Sequence, residues 1–102
     1  MNIDEIRKHI TEGNYQVSFH AEKERYEEDI SLDDIEKAIL NGEILEDYPD
    51  DIRGKSCLIL GYDSRKRSIH IICGYTSIQA LRIITVYLPK LPKWLTNRKR
   101  SK

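Results

Sequence analysis

The sequence predicts an α+β fold, with helices packed on one face of a mainly antiparallel sheet in the order α-β-α-α-β-β-β-β. Three observations carry this expectation. Hydrophobic residues recur chiefly at helical spacing up to about residue 40 and then mostly at a spacing of two. The helical and strand-like stretches are segregated rather than alternating. The chain has 102 residues, and domains typically hold roughly 100–200, so residues 1–102 are expected to form a single domain ending in a basic tail at about 95–102.

Ile3, Ile6 and Ile10 fall at helical spacing and Gly13-Asn14 supplies a stop, which predicts an amphipathic helix over residues 2–12. Tyr15 to His20 alternates, placing Tyr15, Val17 and Phe19 on one face of a strand and His20 on the other. A short charged helix should follow from Ala21 to Glu28. Ser31 with Asp34 three residues on is a capping-box start, and Leu32, Ile35, Ala38 and Ile39 form the stripe of the next helix. Asn41-Gly42 is expected to close it through a left-handed cap. Four strands are then predicted over Ile44–Tyr48, Ser56–Tyr62, Arg67–Gly74 and Leu81–Leu88, the last ended by Pro89 and Pro92.

Pairing Tyr62 with Arg67 and Gly74 with Leu81 would set Ile59 against His70, and His70 against Thr85. One face would then carry Leu58, Leu60, Ile69, Ile71, Ile84 and Val86, wholly aliphatic and suited to lie under the helices. The other would carry His70, Thr85 and Tyr87 among Ile59, Ile72 and Ile83. A polar triad gathered on one face is what a sheet-borne site requires, and a one-residue slip would scatter it.

The net charge of zero hides a split. His20 to Asp51 holds 13 acidic against 3 basic residues, a net of −10, and Ile52 to the end holds 12 basic against Asp63 alone, a net of +11. Either the halves complement each other within the fold or the basic half meets an anion. The run Asn97 to Lys102 favours the anion, since a terminal cluster has no evident internal mate.

Met1-Asn2-Ile3-Asp4-Glu5 is unlike an export signal, and no apolar run approaches the ~18 residues needed to span a bilayer. With Cys57 and Cys73 alone, reduced thiols in a cytoplasm are expected. The register above puts the two cysteines on opposite faces, so no disulfide should form. No paired-cysteine spacing suggests zinc, and no cofactor is expected.

Five stretches, taken in order, resemble a known family: Ser18-Phe19-His20-Ala21-Glu22-Lys23-Glu24-Arg25, Gly42-Glu43-Ile44-Leu45-Glu46-Asp47-Tyr48-Pro49, Ser56-Cys57-Leu58-Ile59-Leu60-Gly61, Ile69-His70-Ile71-Ile72-Cys73-Gly74, and Ile84-Thr85-Val86-Tyr87 followed by Trp94. The family comprises small uncharacterised bacterial and archaeal domains and looks like a relative of the RelE/ParE toxin superfamily, whose core is two helices on an antiparallel sheet. The match runs from Val17 to Arg100, departing at Ile52-Arg53-Gly54-Lys55, where prolines are common in the family. The resemblance implies functional positions at His20, Arg25, His70, Thr85 and Tyr87, and an antitoxin partner, often a zinc-finger protein of the MqsA type. Toxins of the superfamily mostly cleave messenger RNA, while some branches poison gyrase.

An RNA endonuclease acting without a metal ion uses the 2′-hydroxyl as nucleophile and needs an acid–base pair and positive charge on the phosphate. His20 and His70 are the expected pair, Arg25 the phosphate clamp, Tyr87 a hydrogen-bond donor and Thr85 their neighbour on the sheet, all at one concavity. Arg82, Lys93, Arg98, Lys99 and Arg100 would track the RNA backbone, and Trp94 would stack on a base or cover the core. One rival is a non-catalytic module binding a protein or nucleic acid through the basic half. Another, a metal held by His20, His70 and a cysteine, is disfavoured because Cys57 offers a single thiolate beside His70.

Overall fold

A computed structural model describes residues 1–101; Lys102, the last residue of the predicted basic tail, lies outside the described residues. The element order is that predicted: α1 (Ile3–Thr11), β1 (Tyr15–Val17), α2 (Phe19–Glu27), α3 (Leu32–Leu40), β2 (Glu43–Tyr48), β3 (Ser56–Tyr62), β4 (Ser68–Tyr75) and β5 (Leu81–Tyr87). The five strands form one mixed sheet in the order β1-β5-β4-β3-β2, antiparallel throughout except for β1, which runs parallel to β5. No helix among the described residues is long and apolar enough to cross a membrane.

Local chemistry accounts for the helices. Asn2 caps α1, its side chain accepting from the amides of Asp4 and Glu5, and Gly13 ends it with φ +70°. Ser31 and Asp34 form the expected capping box of α3. The expected left-handed cap at its other end is absent, because Asn41 keeps φ −101°. The Asn41 side chain instead bonds both backbone groups of Tyr62, at 2.8 and 3.0 Å, stitching α3 to β3. A Cβ at Gly61 would lie 1.8 Å from the Ala38 carbonyl oxygen, so α3 approaches this close only because position 61 is glycine.

The first strand is shorter than its alternation implied. Ser18 leaves the strand to cap α2, accepting from the Ala21 amide at 3.0 Å while donating to the Ile84 carbonyl at 2.9 Å. Phe19 therefore opens the helix and is 88% exposed instead of facing the core. Helix capping by serine outweighs one more apolar step of a three-residue strand.

Both hairpins slip by one residue from the predicted pairing, for the same reason. Each turn spans five residues. Asp63 and Thr76 donate their amides to the carbonyls of Arg67 and Ala80, while Lys66 and Gln79 bond back and adopt φ +63° and +64°. The Asp63 carboxylate and the Thr76 hydroxyl accept from the amides of Arg67 and Ala80. Tyr62 thus pairs with Ser68, Leu60 with His70, Ile59 with Ile71 and Cys57 with Cys73. In the second hairpin Gly74 pairs with Arg82, and a bulge beyond Cys73 brings Ile72 opposite Thr85 and His70 opposite Tyr87.

The slip exchanges residues between faces. Cys57, Ile59, Ile69, Ile71, Cys73, Ile83 and Val86 belong to the core beneath the helices, with Ile6, Ile10, Ile35 and Ile39. Leu58 and Leu60 are equally buried but lie on the opposite face with His70. The cysteines are free, yet not for the expected reason: they share the helix-side face, with Sγ atoms 3.9 Å apart.

Candidate functional site

The chain after β5 returns across the second face as a strap. Trp94, 1% exposed, lies on it, joined to Arg100 by an isolated bridge and followed by a turn in which Leu95 and Thr96 donate to Lys99. Beneath the strap His70 is fully buried. Its Nε2 lies 2.7 Å from the Asn97 carbonyl, an obligate acceptor, so the proton sits on Nε2 and Nδ1 accepts from the Tyr87 hydroxyl at 3.1 Å. That hydroxyl in turn accepts from Trp94 Nε1 at 3.0 Å. The Trp94 and Tyr87 rings meet His70 edge-on at centroid distances of 4.4 and 5.2 Å. Burial pushes the His70 pKa below its ordinary value and that of Tyr87 above.

The same face continues into an open cleft of about 1000 Å³. Ile72, Gly74, Arg82, Ile84 and Thr85 floor it, Ser18 and His20 bound one side, and Lys55, Tyr48 and Arg100 the other. The His20 side chain is 67% exposed, with Nε2 3.4 Å from Glu24, a carboxylate that itself accepts from the Val86 amide at 3.0 Å. Arg53 pairs with Asp51 and Arg100 with Glu46, whereas Lys55 and Arg82 meet no carboxylate among the described residues. Tyr48 donates to Glu46, and burial beside that carboxylate pushes its pKa up to about 12, keeping the hydroxyl protonated. The Glu46 carboxyl is held below its ordinary pKa, first by its hydrogen bond from Arg100. Exposed cations, a protonated phenol, hydroxyls and one open imidazole can bind a phosphate-bearing chain and supply a proton carrier.

The residues expected to meet at one concavity do so only in part. His20, Thr85, Arg82 and Arg100 line the cleft. His70 and Tyr87 share the sheet face with Thr85 but lie under the strap, so the paired-histidine arrangement does not form, because both nitrogens of His70 are occupied within the fold. Arg25 points elsewhere. Its guanidinium grips Glu22 at 2.9 Å, reaches the Ile30 carbonyl and lies over the Tyr26 ring at 4.6 Å, and that carboxylate raises its pKa. Trp94 is unavailable for stacking on a base, being buried beneath the Arg100 guanidinium 4.5 Å away. Lys93 lies over the Tyr87 ring at 5.5 Å, and Lys99 is exposed. The basic run does have internal mates: Arg98 pairs with Glu43 and Arg100 with Glu46. With Arg67–Asp34, Arg65–Asp29 and Lys90–Glu28, the two charged halves complement each other across the fold.

Lys55, Tyr48 and Glu24 enter the site without having been singled out in the sequence. Glu24 alone left a signal there, one helical turn from His20; the other two depend on the register of β2 and β3. Among the described residues no three His, Cys, Asp or Glu side chains converge as a metal site.

A family description, that of a domain of unknown function (DUF4258), matches residues 17–88, more than half of the chain. No curated protein and no solved structure matches it. The matched stretch contains His20, Arg82 and Thr85 of the cleft and ends before the strap.

Proposed function

The chain belongs to the DUF4258 family, and from that premise we propose that it is the toxin of a toxin–antitoxin pair, a RelE/ParE-like RNA endonuclease of the cytoplasm whose substrate lies in the open cleft. The observation that carries this reading is the exposed His20 imidazole sharing one cleft with Lys55 and Arg82, two cations without acidic partners among the described residues. The order of three helices and a mainly antiparallel sheet agrees with it, as does the resemblance of the motifs, but fold alone does not specify activity.

The chemistry is transesterification without a metal ion. His20 takes the proton of a 2′-hydroxyl, whose oxygen forms a bond to the adjacent phosphorus as the bond to the 5′-oxygen breaks. The leaving oxygen receives a proton from water in the open cleft, and the products are a cyclic phosphate and a 5′-hydroxyl. Arg82 and Lys55 hold the phosphate, a role first expected of Arg25. Glu24, one turn along α2, orients the imidazole. An antitoxin of the zinc-finger class would silence the protein in the cell.

A second reading, a non-catalytic RNA-binding module using the same cleft, is favoured by one observation: His70, the expected second catalyst, is sealed beneath Trp94. Induced expression of the wild type beside His20→Ala, with mapping of cellular RNA ends, separates the two. New 5′-hydroxyl ends with the wild type alone support the enzyme, and a drop of ~10²-fold or more in cleavage is the expected cost of losing a general base. Identical ends in both strains leave the binding module standing.

A further inference from the structure

Cys57 and Cys73 take no part in the cleft, yet they are not two isolated core thiols. They are direct cross-strand partners on β3 and β4, both fully buried, with Sγ atoms 3.9 Å apart. Among the described residues no third His, Cys, Asp or Glu joins them to make a metal site. From this pairing we infer that Cys57 and Cys73 are a reversible dithiol–disulfide pair, oxidised by hydrogen peroxide and linked to the cleft through the sheet. This holds whatever ligand the cleft takes.

The backbone permits the bond. The Asp63 amide donates to the Arg67 carbonyl, which makes that pair a hydrogen-bonded rung. Rungs alternate along an antiparallel pair, so Cys57–Cys73, an even number of rungs away, is hydrogen-bonded as well. Opposed Cα atoms stand about 5.5 Å apart at such a rung, within the roughly 4.4–6.8 Å that disulfides span. The Cβ atoms must close from about 5.5 Å to about 3.8 Å, so the bond forms under strain and stays reducible.

Hydrogen bonding within the pair lowers the pKa of Cys57 and, with burial, raises that of Cys73. Cys57 therefore supplies the thiolate. Its sulfur attacks one peroxide oxygen, the O–O bond breaks, and hydroxide leaves with the electron pair, giving a sulfenic acid. The Cys73 sulfur then bonds to that sulfur while its proton leaves with the sulfenic hydroxyl as water. The proton lost by Cys57 neutralises the hydroxide, so two thiols and one peroxide become one disulfide and two waters. The bulge between Ile72 and Cys73 interrupts the ladder beside the pair, and local opening there admits so small an oxidant.

The neighbouring rung is Ser56–Gly74, and both of its residues line the cleft, as does Ile72 beside Cys73. A Cβ at Gly74 would lie 2.9 Å from the Lys55 carbonyl oxygen, so β4 already touches the approach to β3. Drawing the strands together at the next rung must therefore move Lys55, Ser56 or Gly74.

The test exposes the reduced full chain to hydrogen peroxide without denaturant, then quenches, denatures and alkylates it, and intact mass counts the free thiols. The expected product is a monomer that takes up no alkyl group and regains two after dithiothreitol. Amide NMR of the oxidised chain should show Ser56 and Gly74 shifted and the turn from Asp63 to Arg67 unmoved. Cys73→Ala should show neither the loss of thiol nor the shifts, which ties both to the bond. Two alkylatable thiols after peroxide, a disulfide-linked dimer, or oxidation that dithiothreitol does not reverse overturns the inference. A disulfide that leaves Ser56 and Gly74 unmoved, or shifts that persist in Cys73→Ala, overturns the link to the cleft.

Discussion

His70 with Tyr87 and Ile72 with Thr85 are adjacent cross-strand pairs on one sheet face, separated along β4 by two residues, or roughly 7 Å. The first pair is sealed: the strap lies over it and a chain of hydrogen bonds runs from Trp94 through Tyr87 and His70 to Asn97. The second floors an open cleft lined by cations and hydroxyls. Neighbouring pairs on the same two strands thus serve stability in one place and leave an open, polar surface in the other. What separates them is where the chain returns, a long-range fact that the strand residues do not encode.

Removing the cover is the largest test of this contrast. Trp94→Ala empties a fully enclosed site and should cost about 3–5 kcal/mol, read as a fall in the chemical denaturation midpoint. A change below about 1 kcal/mol would mean that the strap is not part of the core. Tyr87→Phe keeps the ring but leaves Trp94 Nε1 and His70 Nδ1 without their shared partner, and about 1–3 kcal/mol should be lost by the same measurement.

Acid should act through the sealed half. The folded-state pKa of His70 lies below its ordinary value because burial penalises the cation, while the unfolded chain titrates near ~6.5. The unfolded state therefore binds more protons as pH falls below that value. The associated stability is fully present above ~6.5 and is lost as pH falls towards the folded pKa. Tm measured from pH 8 to 5 should decline at the acid end, and the decline should be shallower in His70→Gln, which cannot titrate. Parallel curves for the two proteins would remove His70 as the cause.

The smallest effect is expected in the open half. Arg82 is exposed and meets no carboxylate among the described residues, so Arg82→Ala should change stability by no more than about 0.5 kcal/mol. On the proposed RNA reading, affinity for RNA should fall nonetheless. A variant that loses stability and affinity together would erase the distinction between the halves.

Helix and strand identities were legible because capping and periodicity are local: Ser31 and the apolar stripes of α1 and α3 announce themselves. The register was not. Lys66 and Gln79 take left-handed conformations usually given to glycine, so neither five-residue turn carried a glycine signal. The one-residue error was therefore repeated in both hairpins and transferred Cys57 and Ile59 to the wrong face. His70, Thr85 and Tyr87 still shared a face, because alternation within a strand survives a slip and the bulge between Ile72 and Cys73 preserved the relation of β4 to β5. The sealing of His70 was beyond local reading, since it depends on a segment 27 residues away. Phe19 was misread where two local rules competed and the cap of Ser18 prevailed.

The parallel pairing of β1 with β5 has a consequence for how the protein comes into being. Tyr15–Val17, made early, has its partner only in Leu81–Ile83, made late, and α2 follows β1 after a single residue. His20 is therefore held in place by a strand that the ribosome supplies more than 60 residues later. Until Arg82 to Thr85 have emerged, a nascent chain has neither the floor of the cleft nor the edge on which its histidine is mounted. The cleft should accordingly form in one step once β5 has emerged, and a chain stopped within β4 should lack it.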